Sequence, residues 1–197
     1  MNSIPKNEIT RKILHLFSLI IPLGYLWVVQ DKEIMVMLMG CLSLITILLE
    51  IGRRKWNFIQ FTFNKWFNVM IRENEFQGNL TRATWLLFGS LVTIFSFPMR
   101  IAILALLYMS VGDSFAALVG KSFPIGKLWN KTLSGTLAGT LSCILVGFWI
   151  NESLPQEIII LSAVGAMLVE LIPLPLNDNV TVPLTAGLIM TYGAMII

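Results

Sequence analysis

Five ionisable residues stand inside, or just beyond, otherwise apolar stretches: His15, Glu50, Asp113, Glu170 and Asp178. A charge in lipid is expensive, so each is a candidate for chemistry by default. Carboxylates can hold a hard divalent cation such as Mg²⁺ or take a proton from an alcohol. The densest group of reactive types runs from Gly112 to Gly139, GDSFAALVGKSFPIGKLWNKTLSGTLAG, joining Asp113 to Lys121, Lys127, Lys131, several hydroxyls and recurrent glycines. Lysines attract phosphate and glycines let backbone approach a ligand, so these parts together suit a nucleotide. For Gly135-x-x-x-Gly139 close helix packing is the alternative, and it needs no ligand.

A second polar cluster follows Glu170, in ELIPLPLNDN with Pro183 beyond it. Pro173 and Pro175 should end the preceding helix, and adjacent Asp178 and Asn179 then offer oxygen ligands to a metal or hydrogen bonds to a nucleotide. Near the start, Arg11, Lys12 and His15 can present three phosphate-facing groups, although a lone membrane histidine is more often a packed, hydrogen-bonded residue. Gly120-Lys121-Ser122 is not a P-loop, because the Walker spacing demands glycine at 115 and Phe115 stands there.

The elements that must position these groups are read from composition. Of 197 residues, 56% are hydrophobic and 13% charged. One water-soluble core cannot hide that much apolar surface, so most of the chain is expected to face lipid. Seven apolar stretches approach the length of a spanning helix, at about 13–29, 34–51, 83–99, 101–119, 133–150, 157–174 and 182–197. The expected fold is an all-α integral membrane protein, a single polytopic domain over 1–197. All but Lys32 and Arg100 of the fourteen Lys and Arg fall on one side when the N-terminus is inside, which predicts an N-in, C-out topology. The five ionisable candidates then share the cytoplasmic side. An amphipathic interfacial helix is expected at about 54–71, where Trp56, Ile59, Phe63, Trp66, Phe67 and Met70 recur at helical spacing. Cys41 and Cys143 sit in apolar runs without a C-x-x-C motif and are expected to be buried free thiols. The scattered basic residues give nucleic-acid binding little support.

Four motifs resemble the family of CTP-dependent lipid kinases that includes dolichol kinase, phytol kinase and the fungal-type diacylglycerol kinase, with a more distant similarity to phosphatidate cytidylyltransferase. They are Arg11-Lys12-x-x-His15; Gly112-Asp113-x-x-Ala116-Ala117-x-x-Gly120-Lys121; Lys131-Thr132-x-x-Gly135-Thr136-x-Ala138-Gly139; and Glu170 followed by Asp178-Asn179 and Pro183. In order and spacing they cover nearly the whole chain. The family usually has an acidic residue where this chain has Ser134.

The resemblance implies transfer of the CTP γ-phosphoryl group to the hydroxyl of a membrane lipid alcohol, a polyprenol, phytol-like prenol or diacylglycerol, with a divalent cation. Carried onto this sequence, it implies that Asp113, Lys131 and Asp178 are catalytic, with Asp113 and Asp178 on Mg²⁺. Lys121, Lys127, Thr132, Gly135, Thr136, Gly139 and Asn179 would bind nucleotide. Arg11, Lys12, His15 and Glu170 would meet phosphate or substrate. The expected location is the inner membrane of a prokaryote, with the site facing the cytoplasm. A cytidylyltransferase would use similar ligands, and a transporter or flippase is the rival of another class.

Overall fold

The computed structural model describes residues 15–56 and 80–196. Among the described residues seven helical segments follow in order: α1 (Phe17–Val29), α2 (Lys32–Lys55), α3 (Arg82–Ser96), α4 (Met99–Ser122), α5 (Leu133–Ile150), α6 (Gln156–Leu171) and α7 (Asp178–Ile196). Each falls on one of the apolar stretches found in the sequence. Four of them, α2, α4, α5 and α7, are long and apolar enough to cross a membrane, whereas α1 and α3 are shorter apolar helices. Helix α6 has 16 residues, just under the roughly 17 that a span needs. Arg11, Lys12 and nearly all of the expected interfacial helix lie outside the described residues; Arg54 and Lys55 belong instead to the last turn of α2.

Local chemistry sets the helix ends. Asp31 caps α2 by accepting from the Ile34 amide at 2.9 Å, with Glu33 in the first turn and Arg53, Arg54 and Lys55 in the last, the charge order the helix dipole favours. Thr81 and Thr132 cap α3 and α5 through their hydroxyls. Prolines 98 and 155 stand immediately before α4 and α6, where a missing amide proton costs least. Helix α6 stops at Leu171 with Ile172 extended, as Pro173 requires. Asp178 and Asn179, expected just outside a span, form the first turn of α7.

Helix α4 is the central column. Every residue from Ala102 to Gly112 is buried, and 72% of its apolar window is covered, against 22% for α2. Helices α5 and α7 pack along it, α6 packs between α5 and α7, and α3 joins α2 to α7. Small hydroxyls fill the interior, among them Ser18, Ser90, Thr93, Ser110, Ser114 and Ser162, while α2 turns Ile34, Met37, Leu44, Ile45 and Leu48 outward. Small polar residues inside and large apolar ones outside is the arrangement helices adopt when their surroundings are lipid. The thiols divide: Cys143 is buried as expected, but Cys41 is exposed on α2, because that helix is covered on one side only.

Between α4 and α5 lies the one sheet among the described residues, a two-stranded antiparallel hairpin of β1 (Lys127–Leu128) and β2 (Lys131–Thr132), pairing Lys127 with Thr132 and Leu128 with Lys131. The all-helical expectation contained no such element. Its base is locked by Ser134, whose hydroxyl donates to the Phe123 carbonyl and accepts from the Ile125 amide. Gly126 makes the entry turn at φ 65°, a conformation favouring glycine, and Leu133 fills the space a side chain there would need.

Candidate functional site

The acid at the centre of α4 is presented by an irregularity. Tyr108–Gly112 form a single π-helical turn directly before Asp113, a feature that widens a helix and re-aims the next residue. One serine contact holds α1 against this turn, and a second ties the start of α1 to itself. Ser18 donates to the His15 carbonyl at 2.6 Å, and since a hydroxyl carries one proton, Ser110 is the donor in its 2.7 Å contact with Ser18. The result places His15 Nε2 3.3 Å from Asp113 Oδ2, with both side chains largely buried. Residues 98 positions apart in sequence thus form a pair. Gly112 allows α4 to meet α5 and α6 here, because a Cβ on it would strike Met167 and Cys143.

Lys131, on β2, reaches two acids from other elements. Its Nζ lies 2.8 Å from Glu170 Oε1 at the end of α6 and 2.9 Å from Asp178 Oδ2 at the start of α7, and it also donates to the Glu170 carbonyl. Those acceptors match the three protons of an ammonium group. Burial alone would lower the Lys131 pKa, but Glu170 and Asp178 more than offset it and raise it above the ordinary value of 10.5. Gly112, next to Asp113, meets Met167 three residues before Glu170, so the His15–Asp113 pair and the Lys131 bridge lie on neighbouring stretches of α4 and α6.

The remaining candidates are placed as follows. Thr132 caps α5 by accepting from the Gly135 amide at 3.2 Å, and Thr136 donates back to the Thr132 carbonyl. Gly135 faces α4, where a Cβ would overlap the Ala116 carbonyl, and Gly139 faces Met167 and Gly112. The G-x-x-x-G pair therefore serves close helix packing. Lys121 and Lys127 are exposed at the α4 end and on β1. Asn179 is buried, and its side-chain amide donates to the Arg82 carbonyl at 3.3 Å, joining α7 to the start of α3. Ser134 closes the hairpin through its contacts with Phe123 and Ile125.

One buried unit adds to the site in a way the sequence did not disclose. Glu50 was a candidate, but Arg53 one turn later was not, and the two form an ion pair at 2.6 Å (Nε to Oε2) with both side chains buried. Glu50 also accepts from the Thr81 amide at 2.9 Å and the Thr84 hydroxyl at 3.2 Å. It thereby anchors the start of α3, whose Arg82 carbonyl holds Asn179. The legible signal was the Glu50-x-x-Arg53 spacing at a helix end, which puts opposite charges on one face.

Among the described residues no group of three or more His, Cys, Asp or Glu is arranged to hold a metal ion. Mg²⁺ in nucleotide sites commonly takes only one or two carboxylates and completes its shell with phosphate oxygens and water. The acids of this site fit that mode and not an all-protein cage.

No family model matches the chain, and no solved structure matches it. The chain is similar to an uncharacterized protein of Rickettsia prowazekii (strain Madrid E), 30% identical over 186 residues that cover 90% of each chain.

Proposed function

The chain belongs to one family with that Rickettsia prowazekii protein, and we propose that it is a CTP-dependent lipid kinase. The observation that supports this reading best is the pairing of His15 with Asp113 and of Lys131 with both Glu170 and Asp178, residues drawn from five segments of an apolar chain. Phosphoryl transfer asks a protein mainly for positioning and charge neutralisation, which a compact set of acids and lysines at a lipid boundary provides.

In this reading the lipid hydroxyl oxygen attacks the γ-phosphorus of CTP, the bond from that phosphorus to the β–γ bridging oxygen breaks, and CDP departs. The hydroxyl proton passes to Asp113, which His15 orients. Lys131 holds Glu170 and Asp178 in fixed relation, and Lys121 and Lys127 supply positive charge to the phosphates. Asp113 and Asp178 would hold Mg²⁺, which when bound neutralises charge on the triphosphate. Thr132, Gly135, Thr136 and Gly139 shape the α4–α5 junction against which the nucleotide sits. Asn179 keeps the α7 terminus in place, and Arg11 and Lys12 would meet phosphate or substrate. The proposal includes seven crossings, an N-in topology, a site on the cytoplasmic face and, in a prokaryote, the inner membrane.

The test is incubation of purified protein in detergent with Mg²⁺, lipid alcohols, phosphatidic acid and CTP labelled separately at the α and γ phosphates. Label from the γ position is expected in lipid. Label from the α position would make the protein a cytidylyltransferase, and no transfer from either, across the panel, would overturn an enzymatic reading in favour of transport.

A further inference from the structure

The hairpin between α4 and α5, besides the lysines that the catalytic reading uses, presents an apolar face that it does not use. Phe123, Ile125, Leu128, Trp129 and Leu133 are all exposed, Ile125 at 70% and Trp129 at 61%. This is not a loose loop, because Ser134 pins its base, Gly126 fixes its entry turn and two residue pairs join its strands. The turn itself is strained: Trp129 takes φ 51°, the left-handed region that glycine or asparagine ordinarily occupies. An ordered element thus holds a large indole outward in a backbone conformation that disfavours it.

We propose that this hairpin is a membrane anchor seated in the headgroup layer of the bilayer, with anionic phospholipid as its partner. Two relationships select that occupant. The helices on either side, α4 and α5, are both long and apolar enough to cross a membrane, so the hairpin emerges at a membrane surface. Each strand has two residues, and at about 3.3 Å per residue the tip stands only roughly 7 Å from its base. The whole element is therefore confined to the depth where tryptophan is favoured, between hydrocarbon and water. Exposed Lys121 and Lys127 flank the apolar tip, so the positive charge that a bound nucleotide would draw on also faces phospholipids of negative charge when the site is empty. Lys131 lies on the same hairpin, paired with Leu128, so anchoring the tip also fixes the strand that bridges Glu170 and Asp178. The proposal stands on the hairpin and its flanking helices and does not require the kinase reading.

The experiment uses the full chain in phosphatidylcholine vesicles with and without phosphatidylglycerol, keeping Trp129 as sole tryptophan by changing Trp27, Trp56, Trp66, Trp85 and Trp149 to Phe. Lipids brominated at the 6,7 positions should quench its emission at least two-fold, more than lipids brominated at 11,12, and aqueous iodide should quench little. Quenching should deepen with phosphatidylglycerol and lose that increment in Lys127→Glu. Iodide quenching without bromolipid quenching would place the indole in water, and resistance to both would mean a protein contact; either overturns the proposal, as would indifference to lipid charge for the anionic partner. Should the five-fold variant not fold, Ile125→Cys in a Cys41→Ser background, carrying a nitroxide, gives the same reading. Oxygen should then relax the label more than a polar nickel complex does, and the reverse order overturns the proposal.

Discussion

Lys131 and Glu170, 39 residues apart, meet through two contacts: the ammonium group lies 2.8 Å from Oε1 and also donates to the Glu170 carbonyl. The bond to the carbonyl pins the end of α6, and the bond to the carboxylate neutralises a buried charge. With Asp178 as third partner, one side chain on a hairpin sets the relation between α6 and α7. Its first role is to hold those acids in place.

Removing that side chain should therefore be felt in stability as well as activity. Lys131→Met leaves Glu170 buried without its cation, a change that costs about 3–5 kcal/mol for a fully buried pair; since Lys131 is 28% exposed, about 2 kcal/mol is expected. Thermal unfolding in detergent should show the loss, and Glu170→Gln added to Lys131→Met should restore most of the stability without restoring turnover. An unchanged melting temperature in Lys131→Met would refute the bridging role.

The same pair predicts a pH dependence. The folded Lys131 pKa lies above its ordinary value, so its contribution is complete below the unfolded value of about 10.4 and fades as pH rises through the folded one. The stability difference between the natural chain and Lys131→Met should be constant from pH 7 to 9.5 and shrink above pH 10.5. A difference that instead grows toward high pH would contradict the assignment.

Asp113→Asn should keep the fold, since an amide of nearly the same shape can still meet His15, yet turnover of lipid alcohol should fall by roughly 10³-fold with the loss of a proton acceptor. Rates measured with γ-labelled CTP decide it. Near-natural activity would remove Asp113 from the chemistry.

Glycine substitutions on α5 should rank by what surrounds them. A Cβ at Gly135 overlaps the rigid Ala116 carbonyl, whereas at Gly139 its nearest obstacle is the flexible end of Met167. Gly135→Ala is expected to cost about 2 kcal/mol and Gly139→Ala about half that. Denaturation of both variants in mixed micelles gives the order, and an inverted order would show that the α4–α5 contact is not set by Gly135.

Much of this molecule was legible as a string. The apolar stretches located each described helix because the length of an uninterrupted apolar run is a local property, and Pro98, Pro155 and Pro173 marked ends because a missing amide proton acts within one turn. The costly acids Asp113 and Glu170 announced themselves for the same reason. Helix ends adjusted by several residues where local hydrogen bonds outweighed hydropathy, as at α7, which opens at Asp178 behind Asn177, whose side chain accepts from the Asn179 amide at 3.0 Å.

Other features depend on what one segment finds in another. Nothing near Ser134 reveals that its hydroxyl closes a hairpin, and the Glu50-x-x-Arg53 spacing, which puts the two charges on one face, does not reveal that they are buried beside the cap of α3. Gly135 and Gly139 could serve a ligand or a neighbouring helix, and only the approach of Ala116, Gly112 and Met167 reveals the packing. Residue type and spacing thus determined a helical chain with long apolar helices and costly acids among them. Which of those acids meets a histidine, a lysine or a helix end was decided by tertiary structure, because electrostatic and hydrogen-bond energies depend on distances that sequence separation does not encode.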